Sequence, residues 1–293
     1  MKKLLAYFIL ALFSIQTDAQ VVPDTLFQIE LPKPAFIHGK GPHIYVDAAH
    51  NNYHTIRNRY APFKKVLEHD GFVVKENNLL FNTEHLKNMN VLVISNALHA
   101  SNLGNWQLPT PSAFTQEEME ALHQWVSSGG RLFLIADHMP FSGAAQELAK
   151  SFGVTWCNCF AMDNRQRDVA RFISTKGQLK IPSSWLLRPD TVASFTGSAI
   201  RIPKSAIGII ELTGFTLLSP MRAWEFREDT PFLPSTGWFQ LAVMSYGKGK
   251  IIFSGEAAMF SAQRVSGSPA GFNHEAGRQN AALLLALMRW LTL

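Results

Sequence analysis

Four short apolar runs punctuate the chain, and each ends on a polar residue able to do chemistry. His43-Ile44-Tyr45-Val46 runs into Asp47, Val91-Leu92-Val93-Ile94-Ser95 into Asn96, Leu132-Phe133-Leu134-Ile135-Ala136 into Asp137-His138, and Ile251-Ile252-Phe253-Ser254-Gly255 into Glu256. Apolar runs of this length, bounded by turn residues, read as buried strands. Helical patterns between several of them favour parallel pairing. In an open parallel sheet, ligands bind in the crevice beyond the carboxyl ends of the strands. Side by side, these four runs bring their polar ends to one rim.

The intervening pattern predicts helices. Tyr60, Phe63, Val66 and Leu67 are spaced as the apolar stripe of a helix over 56–69, with Pro62 in its first turn and Gly71 as its stop. Phe72-Val73-Val74 reads as a second strand, and 83–87 as a short helix capped by Asn82 or Thr83. Thr115-Gln116-Glu117-Glu118 is a capping box, in which the hydroxyl and the carboxylate satisfy each other's helix-start amides. Met119, Leu122 and Val126 continue that helix to Gly129-Gly130. Ser142 opens another helix, with Leu148 and Phe152 facing inward. The stretch of about 155–240 breaks the alternation, with short β-like pieces at 192–195 and 206–210, and reads as a β-leaning insertion. Residues 240–246 and 250–254 flank Gly247-Lys248-Gly249 as a hairpin. A last helix over 278–291 is apolar nearly all round and is predicted to be buried.

The first nineteen residues fall outside this fold pattern. Lys2 and Lys3 precede an apolar stretch over 4–13, and Thr17-Asp18-Ala19 is a small-residue cleavage site, so 1–19 reads as a signal peptide and the protein as exported, periplasmic or extracellular. Residues 20–42 form a Pro- and Gly-rich lead-in, and 43–293 the α/β domain with its insertion. No later stretch is long and apolar enough to span a membrane. The formal net charge is only +5, and no basic run beyond the leader exceeds two residues, which argues against nucleic acid as partner. Cys157 and Cys159, one residue apart, bond to each other only with strain and are too few for a zinc site, so two buried thiols are expected.

The densest polar cluster is Asp47-Ala48-Ala49-His50-Asn51-Asn52-Tyr53-His54. If the chain turns helical at His50, His50 and His54 lie on one face. Three readings are open: Asp47, His50 and His54 as ligands of zinc or another divalent metal, an acid–base or ligand-binding relay, and a loop held by side chains bonding backbone amides. Asp137 occupies the same strand-end position as Asp47, with His138 beside it, and either enters the pocket or holds a turn. Glu256 paired with either Asp gives two carboxylates in one cleft, one of them open to a raised pKa. His274, in a Gly-flanked loop, and Asn280, at the start of the last helix, are further candidates. Arg222-Ala223-Trp224-Glu225-Phe226-Arg227 either stacks a sugar or ring or simply packs. There is no G-x-S-x-G elbow, no P-loop and no G-x-G-x-x-G after a strand.

Several of these motifs together carry a resemblance. Asp47-x-x-His50-Asn51, Ser95-Asn96, Phe114-Thr115-x-x-Glu118 to Gly129-Gly130, Leu134-Ile135-Ala136-Asp137-His138-x-Pro140, Phe152-Gly153-Val154 and Gly255-Glu256-Ala257-Ala258-Met259-Phe260-Ser261-Ala262-Gln263 look like an exported bacterial branch of the class I glutamine-amidotransferase-like superfamily. That superfamily also includes domains of gliding-motility transport proteins and of an intraflagellar transport protein. The resemblance implies an open, mostly parallel flavodoxin-like sheet with helices on both faces. It does not bring the amidotransferase reaction, because the comparable strand-to-helix turns hold Asn96 and Asp137 rather than a nucleophilic Cys. Two functions are expected in order. The first is binding of a polar ligand of glycan or amide type at the strand ends, with Asn51, Asn96, His138 and His274 as binding residues. The second is a metal-assisted or acid–base hydrolase using Asp47, His50, Asp137 and Glu256.

Overall fold

The four apolar runs form strands, two of them starting a residue or two early, and their register lines up the polar ends. A computed structural model describes residues 21–28, 30–165 and 169–293; the leader read at 1–19 lies outside them. The main sheet contains β1 (His43–Asp47), β2 (Val73–Asn77), β3 (Val91–Ser95), β4 (Arg131–Ile135), β5 (Thr155–Cys157), β6 (Ala199–Arg201), β7 (Ala206–Glu211), β8 (Phe239–Tyr246) and β9 (Gly249–Ser254). Its order is β2-β1-β3-β4-β9-β8-β6-β5, with β7 also paired to β8. Asp47 sits opposite Asn77, Ser95 opposite Ile135, and Ile135 opposite Ser254, so the residues that follow β1, β3, β4 and β9 emerge along one edge.

This architecture corrects the expected open, mostly parallel flavodoxin-like sheet. Only β2, β1, β3, β4 and β9 run parallel. The tight turn at Gly247 reverses the chain, so β8 pairs antiparallel to β9, and β7, β6 and β5 extend the sheet antiparallel from there. Three smaller antiparallel sheets flank it, so the molecule is a mixed β-rich fold. The stretch read as an insertion supplies β5, β6 and β7 to the main sheet and the remaining strands to the small ones.

Strand side chains alternate between two apolar layers. On one face Ile44, Val46, Val93, Phe133, Ile135 and Ile252 pack against α1 (Ala61–His69) and α5 (Asn280–Thr292). On the other, Leu92, Ile94, Leu132, Leu134 and Phe253 pack against α2 (Thr83–Leu86), α3 (Gln116–Ser127) and α4 (Phe141–Ser151). In α5, Leu283, Leu284, Leu285, Leu287 and Leu291 are all fully buried, which explains a helix with no polar stripe. Each such side chain contributes about 1.5–3 kcal/mol on burial. One charge enters that layer. Arg289 of α5 grips Asp70, just past α1, with two hydrogen bonds and donates to the Lys33 carbonyl, which fastens the lead-in to both helices.

Candidate functional site

The rim is organised by Asn96, the residue after β3. Its φ is +48°, a left-handed conformation that Asn tolerates better than most residues. Its side-chain oxygen accepts from the Asp137 N–H at 2.8 Å, and its amide nitrogen lies 3.1 Å from His54 Nδ1. Gln263 covers the other ring nitrogen of His54 at 2.9 Å. Burial, followed by repulsion from Arg59 and His138, holds the His54 pKa down at about 3, so the ring is neutral.

Asp47 and His50 come together, but in a closed structural cluster. His50 Nδ1 lies 2.8 Å from Asp47, and Nε2 lies 2.8 Å from Glu118. Phe81 stacks on the imidazole at 4.5 Å, and Phe114 lies 5.0 Å away. Glu118 completes the capping box of α3 with Thr115 and also accepts from the Phe81 N–H. Burial drives His50 down, but the hydrogen bond and charge of Asp47, and then those of Glu118, outweigh it and leave its pKa raised. Glu118 is held below its usual range: burial pushes it up, and the Thr115 N–H, His50 and the Phe81 N–H prevail. The expected metal set of Asp47, His50 and His54 is corrected here. His50 and His54 turn to different partners, and no group of three or more His, Cys, Asp or Glu among the described residues is arranged to hold a metal ion.

Glu256 and Asp137 form a second cluster, joined by Thr196. Glu256 is fully buried and takes donors from five groups: the Ser194 hydroxyl and the N–H groups of Phe195, Thr196, Ala258 and Met259. The Thr196 hydroxyl lies 2.9 and 3.1 Å from the two Asp137 oxygens. Burial, then the charge of Asp137, pushes the Glu256 pKa up to about 8, against the pull of Ser194 and the two amides. The Ser194 hydroxyl lies 2.6 Å from both Glu256 and the Thr196 carbonyl, so its single hydrogen is shared between two acceptors.

Beyond Asp137 the rim continues into an aromatic cluster in which His138 is buried and Trp224 is exposed. His138 Nδ1 is 2.6 Å from the Met139 carbonyl, and the ring stacks on Phe160 at 4.3 Å. Burial lowers its pKa against the opposing charge of Asp137, so the ring is neutral and Nε2 is an acceptor without a hydrogen-bond partner among the described residues. Trp224 stands edge-on to both rings, 4.8 Å from His138 and 4.7 Å from Phe160. It is 52 % exposed and has a φ of +69°, a costly backbone conformation for a bulky side chain. A hollow of about 140 Å³ opens between Trp224, Phe160, Ser194 and Thr196.

The remaining candidates lie elsewhere or serve structure. Asn51, exposed and with a φ of +50°, donates to the Leu98 carbonyl. His274 accepts from the Ala276 N–H and meets Phe195 edge-on at 5.3 Å. Asn280 binds the backbone of Ala193 with both side-chain groups. Cys157 and Cys159 are joined by a disulfide, against the expectation of two free thiols. The sequence reading missed Glu118 as a partner of His50, because its capping role already accounted for it. It missed Ser194 and Thr196 because nothing in the pattern ties them to Glu256. Trp224 was visible in its aromatic run, without a location.

No family model matches the chain, and no curated protein matches it. Among solved structures, the N-terminal domain of mmIFT52 superposes with a TM-score of 0.60 at 15% identity, covering 85% of this chain and 97% of that one. A cytoplasmic protein from Salmonella typhimurium LT2 gives 0.50 at 10% identity, covering 86% and 99%. A ThuA-like protein from Bacteroides uniformis gives 0.45 at 16% identity, covering 88% and 94%. At these identities the likeness is one of fold.

Proposed function

We propose that this chain is an exported, amidotransferase-like binding protein that holds a small polar ligand of glycan or amide type at the rim formed by Asp137, His138, Thr196 and Trp224. The observation that carries this reading is Trp224, an exposed indole kept in a strained backbone conformation, edge-on to a neutral imidazole and lining one hollow with Thr196, whose hydroxyl meets Asp137. A flat aromatic face takes the apolar side of a ring, and adjacent acceptors take hydroxyl or amide hydrogens, the usual division of labour in small-molecule sites. Asp137 Oδ2 has the Thr196 hydroxyl as its only hydrogen-bond partner among the described residues, so it retains acceptor capacity.

Binding is favoured over hydrolysis because the other proposed catalytic groups are occupied. Asp47 and His50 are closed against Glu118, and Glu256 is enclosed by five donors. The test is calorimetric titration with a panel of neutral oligosaccharides and primary amides. Trp224→Ala should weaken the best ligand about tenfold or more, as loss of an anchoring Trp commonly does. Asp137→Asn should weaken it as well, and Thr115→Ala should not. A wild-type protein that binds none of the panel, or a Trp224→Ala variant of unchanged affinity, defeats this reading.

A further inference from the structure

A second cavity lies at the opposite end of the sheet, where the parallel strands begin and α5 ends. It is a groove of about 380 Å³, within the size range of small-molecule sites (about 300–1,000 Å³). Trp185 and Trp290 stack across part of it, with centroids 5.9 Å apart and planes 28° from parallel. Leu186 and Leu293 stand at its edge, 85 % and 71 % exposed, an unusual position for large apolar side chains on a shared cavity. Lys250 also lines it.

The charges there are one-sided. Lys250 is the register partner of Arg131 on the neighbouring parallel strand, so two cations stand side by side. Like charges placed opposite each other are destabilising. Neither has an ion-pair partner among the described residues. Lys250 donates to the Trp290 carbonyl at 2.8 Å and lies 5.2 Å from the Trp290 ring centroid, which leaves ammonium hydrogens unassigned. Burial, then the charge of Arg131, lowers its pKa, a sign that the ammonium lacks a compensating anion. The other cation in the lining, Arg289, is neutralised by Asp70, and the lining contains no acidic side chain.

We propose that this groove binds an amphipathic monoanion, an aryl or alkyl carboxylate, with its apolar body between Trp185, Leu186 and Trp290 and its carboxylate on Lys250. The occupant follows from complementarity: aromatic and aliphatic walls demand an apolar body, and an unmatched ammonium at the wall demands one negative charge. This site is separate from the strand-end rim and does not depend on its ligand.

Titration calorimetry of the purified chain with 4-phenylbutyrate and its neutral analogue 4-phenylbutanamide tests the proposal. The acid should bind about tenfold or more tightly than the amide. Lys250→Met should erase that difference, Lys250→Arg should keep it, and Trp185→Ala should weaken both probes. Because Lys250 also caps α5, thermal unfolding of each variant separates lost binding from lost structure, and Leu186→Ser, at an exposed position, gives a second weakening without a folding role. Equal binding of acid and amide, no binding of either, or sedimentation showing the groove closed between two copies and opened by Leu186→Asp would each overturn the proposal.

Discussion

His50 has the geometry of a catalytic imidazole, with a carboxylate on each nitrogen, and structure consumes both contacts. Its removal leaves Asp47 and Glu118 buried against each other's field, and breaking such a cluster commonly costs about 3–5 kcal/mol. His50→Gln should therefore lower the denaturation midpoint strongly at pH 6. The pH dependence has a definite sign. The folded pKa of His50 is raised, so its contribution is fully present below the unfolded value near 6.5 and disappears as pH rises through the folded value. The wild-type minus His50→Gln stability difference should shrink toward alkaline pH, and a difference constant from pH 5 to pH 10 contradicts this. Glu256 moves the same way for a different reason. Its folded pKa of about 8 exceeds the unfolded value of 4.5, so the stability that comes with its proton is present below 4.5 and lost as pH rises through about 8. Glu256→Gln turns an NH2 group toward backbone N–H donors whichever way the amide lies, and should lower the urea midpoint at both pH 5 and pH 9.

At the scale of elements, α3 carries two functions on one carboxylate. Thr115→Ala removes only the cap hydroxyl and should cost about 1 kcal/mol in chemical denaturation. Glu118→Gln weakens the His50 cluster as well and should cost more; the reverse order would separate the cap from that cluster. The capping box, the 3.6-residue stripe of α1 and the β8–β9 hairpin were legible in the sequence because each is specified by neighbours within a few residues. The antiparallel half was not. β5 and β6 have three residues each, too few to show a period, and Cys157 pairs with Ala199 across some forty residues of chain. Contacts of that separation leave no local pattern to read. The strand-end polar residues were therefore located correctly, while their partners, Thr196 above all, arrived from a stretch with no signal.

The longest-range tie in the chain's helical layer is the Asp70–Arg289 pair, which joins α1, α5 and the lead-in through the Ala35 N–H and the Lys33 carbonyl. Asp70→Ala strands a buried guanidinium and should cost about 3–5 kcal/mol, measured by the shift in urea midpoint. Restoration of that loss by a second change, Arg289→Met, would confirm that the unpaired charge causes it. The two halves of the sheet also differ in what they give the rim. Asn96, Asp137 and Glu256 follow strands of the parallel half, and Asp137 and Glu256 are bonded across to Ser194, Phe195 and Thr196. Phe160, Thr196 and Trp224 come from the stretch that builds the antiparallel half and its small flanking sheets. The two blocks are interlocked: Ser194, Phe195 and Thr196 of the second supply three of the five donors to the buried Glu256 carboxylate, and the Ser198 hydroxyl donates to the Ala136 carbonyl. Exchanging the second block would leave a buried carboxylate short of donors, so the rim can change only by substitutions that keep those backbone contacts.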